Sequence, residues 1–256
     1  MRQRTPWRGM TVAAPVLLAA ALLLGWSLTT RLSSIPEYLL PSPGAVGSRL
    51  VSDLASGELW PYLGLTLAEA LGGCLLGAAV AIPASVAIHR SRWFRAAVQP
   101  FLGATQAIPA IALAPLLVLW VGYGLGPVIL LCSLMVFFPI LVSSVLGLRH
   151  VDPDVLRAAR VDGADSFRLL TEIEFPLAWP AVLAGLRNGF TLSVTGAVVG
   201  EMVMGGRGLG MVLTVQRDAV DTAGMFATIA VLCVVAATIY SLIYAWERNS
   251  RLIDTH

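Results

Sequence analysis

Six long apolar runs constrain the fold of this chain more than any other feature of its sequence. The runs cover residues 10–28, 60–88, 101–121, 127–148, 179–203 and 225–246. Each is about long enough to cross the hydrocarbon core of a bilayer as a helix. Mean hydropathy is +0.80 and only 12% of residues are charged, values outside the range of soluble domains. Because unpaired backbone groups cannot face lipid, we predict an all-α membrane protein with about six transmembrane helices.

The distribution of arginine predicts the orientation of these helices. All 17 basic residues are arginine, and loops on the cytoplasmic side carry an excess of basic residues. Six helices place twelve arginines on one side, and the other side holds Arg31, Arg49, Arg207 and Arg217. Both termini and the loop 152–176 are therefore predicted to be cytoplasmic. We interpret the first run as a retained helix and not a cleaved signal peptide, because it is long and no Ala-x-Ala site follows.

The loop 152–176 is the only long polar interval between the runs, and its first half predicts a short helix. Asp152 before Pro153 is typical of a helix N-terminus. Gly163 stands where a residue in the left-handed conformation would end that helix. The cytoplasmic loop should therefore be folded and not a flexible connection.

The second half of the loop predicts another short helix, starting at residue 165 or 166. Phe167, Leu170 and Ile173 share one apolar stripe, which charged residues flank. Pro176 should end the helix at Phe175, because the residue before proline is pushed out of the α region. The pair of helices would thus present a small apolar face on the cytoplasmic side.

Several kinds of function are excluded by what the sequence lacks. Without lysine the chain cannot contain a Gly-x-x-x-x-Gly-Lys-Ser/Thr phosphate loop, so any ATP is bound by another chain. The glycine-rich segment 205–210 follows no predicted strand and is interpreted as a tight turn or re-entrant gate. No histidine or aspartate lies within a predicted span, which argues against intramembrane proteolysis. The three cysteines lie in apolar runs and are expected to be small buried residues, and the scattered histidines predict no metal site. A net charge of +2 gives no basic surface for nucleic acid.

Ionisable groups inside the spans are candidate pathway residues. Glu69 lies well inside the second run, where a carboxylate is costly unless it is paired or wet, so we expect it to face the interior of the bundle. Arg187 lies near the cytoplasmic end of the fifth run. It is a possible partner of Glu69, but at that depth we favour an arginine whose head group snorkels to the interface.

Polar residues in the third and fifth runs extend this candidate pathway. Two prolines in the third run, Pro109 and Pro115, free backbone groups that neighbouring helices or water must satisfy; a simple kink is the alternative. The predicted translocation pathway consists of Glu69, Thr105, Gln106, Pro109, Asn188, Thr191, Thr195 and Glu201.

The loop contains the motif Arg157-Ala-Ala-Arg-Val-Asp-Gly-Ala-Asp, followed by Glu174-Phe-Pro-Leu. These motifs resemble the cytoplasmic signature of a known family, the permeases of binding-protein-dependent ABC importers. Four further segments resemble the nitrate, sulfonate and taurine branch of the family: Leu40-Pro-Ser-Pro-Gly-Ala-Val, Gly57-Glu-Leu-Trp, Thr105-Gln-Ala-Ile-Pro and Gly200-Glu. The resemblance covers roughly residues 39–247. The chain departs from the family at Arg157, where an acidic residue is expected.

The resemblance implies the fold, the partners and the location of the chain. Residues 1–256 would form one permease domain of the type I importer fold, with 152–176 as the coupling loop, in the bacterial plasma (inner) membrane. Two permease copies, expected to be identical, would form the pore, and two ATPase subunits would bind ATP and magnesium. A periplasmic or lipid-anchored binding protein would deliver the solute. The residues implied in ATPase coupling are Arg157, Ala158, Ala159, Gly163, Ala164, Phe167, Leu170 and Pro176.

Two classes of solute are compatible with the sequence. The resembled branch handles oxyanions and sulfonates, whereas relatives that share the segment Thr195-Gly-Ala-Val-Val-Gly-Glu are similar to permeases for pyrimidine vitamin precursors or riboflavin. Two glutamates in the predicted pathway favour a neutral heterocycle over an anion. The alternative is a secondary carrier driven by an ion gradient, with Glu69 or Glu201 as proton carrier, or a membrane scaffold without transport.

Overall fold

The computed structural model describes the backbone of residues 8–107 and 109–253, and the side chains of 13–14, 16–100 and 109–247. The described residues are almost entirely helical and contain no strand. The helices are α1 (Arg8–Leu32), α2 (Pro43–Ser56), α3 (Leu59–Arg90), α4 (Arg92–Ala107), α5 (Ala114–Val121), α6 (Leu125–Arg149), α7 (Pro153–Val161), α8 (Ser166–Arg168), α9 (Phe175–Met204), α10 (Leu209–Asp218) and α11 (Thr222–Ile253).

The apolar runs correspond to helices in the structure. Four helical segments are long and apolar enough to cross a membrane: Leu59–Arg90, Leu125–Arg149, Ser166–Met204 and Thr222–Glu247. Two shorter apolar helical stretches, Val16–Leu32 and Ala110–Val121, correspond to the first and third runs. The predicted all-α membrane fold is thus confirmed.

The third run differs from the prediction, because it is not one continuous helix. Helix α4 ends at Ala107, Pro109 is extended with a ψ of 105°, and a short 3₁₀ segment, Ala110–Leu113, leads into α5. A proline has no N–H to donate to the preceding turn and crowds its carbonyl groups, so the helix breaks there. Pro109 therefore marks a break in the span and not a simple kink.

The chain divides into two units. The smaller comprises Met1–Glu58 and Leu213–Val231. Within it, Ser42 caps α2 by accepting a hydrogen bond from the Ala45 N–H, and Arg49 lies 2.8 Å from Asp53 and 3.0 Å from Asp221. The larger unit comprises Leu59–Val212 and Leu232–His256. The expectation of one permease domain over 1–256 stays a prediction.

The core of the larger unit is formed where α6 packs against α3 and α9. Small residues allow the close approach: a Cβ at Gly73 would overlap the Cβ of Cys132, and one at Gly77 would overlap Val136. Cys74 and Cys132 are buried as expected, whereas Cys233 is exposed, because its side chain lies on the uncovered face of α11. The packing of α3, α6 and α9 fixes the positions of the functional side chains.

Candidate functional site

The first helix of the cytoplasmic loop is built by local hydrogen bonds. The Asp152 carboxylate accepts from the Asp154 N–H at 2.8 Å, which caps α7. Gly163 has a φ of +90° and donates to the Arg160 carbonyl, while the Ala164 N–H donates to Ala159. This pair of bonds is a Schellman motif, which ends the helix at a left-handed glycine. The predicted start and end of the first loop helix are therefore confirmed.

The second loop helix does not end at Phe175 as predicted. Asp165 caps it, accepting from the N–H groups of Phe167 and Arg168 at 3.0 and 2.8 Å. After α8 the chain forms a π segment, Leu169–Glu174, and continues into α9 as one helical segment, Ser166–Met204. In the wide π turn, Phe175 donates to Leu170, which moves the preceding carbonyls away from the Pro176 ring. The loop is therefore joined rigidly to the membrane span.

The predicted ATPase-contacting residues lie on both sides of this pair of helices. Arg157, Ala158, Gly163, Phe167 and Pro176 are exposed, and Ala159, Ala164 and Leu170 are partly buried. Phe167 is 73% exposed, which is unusual for an aromatic side chain outside lipid. Arg157 pairs with Asp154, but both side chains are largely exposed, so the pair does little to restrain the arginine. Contact with an ATPase stays a prediction for these residues.

Glu174, at the end of the π segment, anchors the loop to the end of α3. Its side chain is 4% exposed. Its Oε2 lies 3.3 Å from Nη2 of Arg90, and its Oε1 lies 3.5 Å from Nε2 of His89. Arg90 also donates a 2.5 Å hydrogen bond to the Ser166 carbonyl. This cluster was not predicted from the sequence; the available signal was an acidic residue beside the Pro176 motif and two basic residues directly after the second run.

Glu201, near the end of α9, holds the glycine-rich turn in place. Its Oε1 accepts from the Thr66 hydroxyl at 2.7 Å, and its Oε2 accepts from the Gly210 N–H at 2.5 Å. The Thr66 oxygen in turn accepts from the Leu209 N–H at 2.9 Å. A Cβ at Gly208 would overlap both Glu201 and Thr66, so the turn needs glycine there. The interpretation of 205–210 as a tight turn is confirmed.

Glu69 lies one turn along α3 from Thr66, whose hydroxyl contacts Glu201, so the two glutamates lie near each other. The Glu69 side chain is 1% exposed, so it faces the interior as expected. Two acidic side chains are therefore buried close together between α3 and α9.

Arg187 is neither the partner of Glu69 nor a snorkelling arginine. Its Nη1 lies 2.8 Å from Oε2 of Glu247 on α11, and the two side chains are 15% and 5% exposed. Its guanidinium also lies over the rings of Tyr240 and Tyr244, at 4.8 and 5.2 Å from their centroids. The preference for snorkelling was wrong because the sequence cannot show that α11 brings an acid and two aromatic rings to α9.

The remaining pathway residues do not converge on the glutamates. Asn188, Thr191 and Thr195 form a stripe along the exposed face of α9, whereas Glu69 and Glu201 are buried. The side chains of Thr105 and Gln106 lie outside the described residues. Pro109 is exposed at the break in the third span. A pathway through all eight residues thus stays a prediction.

A cavity of about 490 Å³ lies beside the carboxyl pair. It is lined by Leu65, Glu69, Tyr123, Gly124, Leu125, Gly205, Gly206 and Arg207. The loops that close it, after α5 and α9, lie on the side predicted to be external. The lining combines apolar surface with one acid and one arginine, which suits a small molecule that is apolar and hydrogen-bonding.

Among the described residues, no group of three or more His, Cys, Asp or Glu side chains could hold a metal ion.

Comparison with solved structures places the fold. The chain superposes on a structure of the MetNI methionine ABC transporter in inward-facing conformations with a TM-score of 0.67 at 19% identity, covering 75% of this chain and 95% of that chain. A second match is an amino acid ABC transporter with histidines, with a TM-score of 0.65 at 16% identity over 78% of this chain and 98% of that chain. These similarities confirm the type I ABC importer permease fold.

Comparison with curated proteins gives relatives along nearly the whole chain. The riboflavin transport system permease protein RibX of Chloroflexus aurantiacus is 38% identical over 96% of this chain and 91% of its own length. The formylaminopyrimidine transport permease protein ThiX of Halalkalibacterium halodurans is 33% identical, over 88% and 89%. The taurine transport system permease protein TauC of Escherichia coli is 28% identical, over 91% and 88%.

Residues 73–249 match a family model described as binding-protein-dependent transport system inner membrane component. This range includes the cytoplasmic loop, its Glu174 anchor and the Glu201 turn, whereas Thr66 and Glu69 lie just before it. The chain belongs to this family of ABC importer permeases.

Proposed function

We propose that this permease subunit imports a small neutral nitrogen heterocycle, of the riboflavin or aminopyrimidine class, with two identical copies forming the pathway. The partners are two ATPase subunits that bind ATP and magnesium, and an external periplasmic or lipid-anchored binding protein. The chain is a multi-pass protein of the bacterial plasma membrane and a transport subunit, with ATP hydrolysis in a separate chain. Lipid surrounds its spans, and nucleic acid is not a partner.

The observation that carries the coupling role is the folded loop between α6 and α9. Both of its helices have a capped N-terminus, and the loop exposes Phe167 and the arginines of α7. A capped pair of short helices loses little conformational freedom on binding, so it can transmit force to the span it continues into. These features support docking of an ATPase on residues 152–176.

A second copy is supported by the exposed polar face of α9. Asn188, Thr191 and Thr195 are exposed on a helix that spans the membrane. The Thr191 and Thr195 hydroxyls donate to backbone carbonyls of their own helix, at 3.1 and 3.3 Å. Hydrocarbon cannot satisfy the Asn188 amide. A partner copy or a water-filled pathway between two copies would do so.

The solute class is supported by charge and by the relatives. Glu69 lines the cavity and Glu201 is buried near it, and acidic side chains there oppose a sulfonate or nitrate and tolerate a neutral ring. Tyr123 offers an exposed ring for stacking, and Arg207 offers donors for a ring carbonyl. The relatives at 38% and 33% identity are named for riboflavin and formylaminopyrimidine, and the taurine relative stands at 28%.

An uptake assay with three labelled solutes tests the solute class. The permease is reconstituted in vesicles with its cognate ATPase and binding protein, and uptake of labelled riboflavin, an aminopyrimidine and taurine is measured, together with their binding to the binding protein. We expect uptake of a heterocycle and none of taurine. If taurine is bound and taken up and neither heterocycle is, the permease transports a sulfonate, and the inference that acidic residues beside the cavity exclude anions is wrong.

A further inference from the structure

Arg90 contacts both ends of the segment that joins the cytoplasmic loop to α9. Its guanidinium donates to the Ser166 carbonyl at the start of the loop's second helix, and it forms an ion pair with Glu174 at the end of the π segment. One side chain therefore fixes the distance between two points eight positions apart. Both contacts are made by Nη2 of Arg90, so a single nitrogen links the two points.

Glu174 is held by charge as well as by burial. The side chain is 4% exposed, and its Oε2, which makes no hydrogen bond among the described residues, faces Arg90. His89 lies 3.5 Å from its other oxygen. A buried carboxylate loses its hydration, so removing its cation leaves an uncompensated charge. The position of Glu174 therefore depends on the end of α3.

The end of α3 is itself braced. Arg95, in the first turn of α4, donates to the carbonyls of Ile88 and His89 at 3.2 and 3.1 Å. These bonds satisfy carbonyl groups that a helix C-terminus otherwise leaves without partners. The Arg90 side chain thus projects from a fixed base toward the loop.

The π segment is the place where the loop would otherwise bend. A π turn holds one extra residue, and such turns lie often at functional sites because their bonding can shift to the α pattern. If the hydrogen bonds of Leu169–Glu174 changed to the α pattern, the loop helix would rotate relative to α9. A movement of the loop would then change the local structure and would not be transmitted to the membrane span. Arg90 spans this segment from Ser166 to Glu174 and opposes that shift.

We propose that Arg90 and Glu174 are positioning residues of the coupling joint: together they transmit the movement of the cytoplasmic loop to α3 and α9 at once. The inference rests on the proposed function, in which an ATPase moves that loop. Arg90 and Glu174 touch neither the solute nor ATP in this account. Their effect is on the amount of solute moved for each ATP hydrolysed.

The test uses the reconstituted complex of permease, ATPase and binding protein. Solute uptake and ATP hydrolysis are measured in the same vesicles for Glu174→Gln, Arg90→Gln and the double variant. We expect uptake per ATP to fall about tenfold in each single variant, with the double variant no worse, because both remove one joint. ATPase co-purification should stay near that of the unaltered complex. The thermal midpoint should stay near it in Glu174→Gln, which leaves only the partly exposed Arg90 without its partner, and should fall in Arg90→Gln, which leaves the buried Glu174 uncompensated.

Two further variants keep the result interpretable. Glu172→Gln removes an exposed acid from the same π segment and should leave uptake per ATP unchanged. Arg90→Lys keeps a cation for Glu174, but the lysine Nζ lies one bond closer to the backbone than Nη2 does. The contacts with Ser166 and Glu174 are therefore weakened, and we expect an intermediate loss even if Glu174→Gln does not fold.

If uptake per ATP is unchanged in both Arg90→Lys and Glu174→Gln while the complex stays intact, Arg90 and Glu174 do not transmit the movement of the loop, and the inference is wrong. Uptake that needs no ATP in the unaltered complex would instead overturn the proposed function.

Discussion

Replacing Glu247 by alanine tests how Arg187 is held inside α9. The pair is separated by 2.8 Å, and the side chains are 15% and 5% exposed. Breaking a buried pair by removing one partner costs about 3–5 kcal/mol, since the remaining charge is left without compensation. The rings of Tyr240 and Tyr244 keep part of the stabilisation, about 0.5–2 kcal/mol. We therefore expect Glu247→Ala to lower the free energy of unfolding by about 3 kcal/mol, near the lower end of that range.

The double variant Arg187→Met with Glu247→Leu sharpens this prediction. Replacing both members of a buried pair with apolar residues of similar volume is often neutral or stabilising. The double variant should thus unfold close to the unaltered protein although each single change is costly. Reversible unfolding of the purified permease in mixed micelles, by increasing SDS, gives the free energies to compare.

Arg217→Gln serves as the matched control, because Arg217 pairs with Asp218 where both side chains are more than half exposed. Exposed pairs contribute little to stability, so no clear change is expected. If Glu247→Ala also unfolds within about 1 kcal/mol of the unaltered protein, the cost of a broken buried pair is absent. Arg187 would then reach the interface, as the sequence suggested, and the assigned pair would be wrong.

Three further outcomes test the loop and the turn. Thr66→Val removes the hydroxyl that bridges Glu201 and the glycine turn and should lower the unfolding free energy by about 1–3 kcal/mol, whereas Thr195→Val, on the exposed face of α9, should change it little. Gly208→Ala should open the turn, measured as faster protease cleavage at 205–210 than in the unaltered protein. Gly163→Pro should abolish ATP-driven uptake with normal membrane insertion, because proline cannot adopt a φ of +90°; normal uptake would show that the loop is not the lever.

Features encoded over a few neighbouring residues could be predicted from the sequence. Asp152 and Gly163 delimit α7 through bonds within the loop itself, and the apolar runs fix the spans because their composition allows no other location. For this reason, the prediction for the first half of the cytoplasmic loop was correct. The prediction for the second half was wrong, because a proline such as Pro176 usually ends an α-helix but is accommodated here by a π segment.

Features that depend on distant pairs could not be predicted. Arg187 and Glu247 are 60 positions apart, and Thr66 and Glu201 are 135 apart. Only the packing of the helices brings these side chains together, and nothing in a single sequence states which helices are neighbours. The sequence could therefore indicate Glu69 and Glu201 as unusual carboxyl groups without predicting that they lie close together.

Uptake by the reconstituted complex tests the central claim most directly. Vesicles containing the permease, its ATPase and the heterocyclic solute's binding protein are supplied with ATP and magnesium on the ATPase side, with an uncoupler present or absent. Accumulation that needs both ATP and the binding protein and is insensitive to the uncoupler is the predicted result. Accumulation without ATP that collapses on addition of the uncoupler would contradict it.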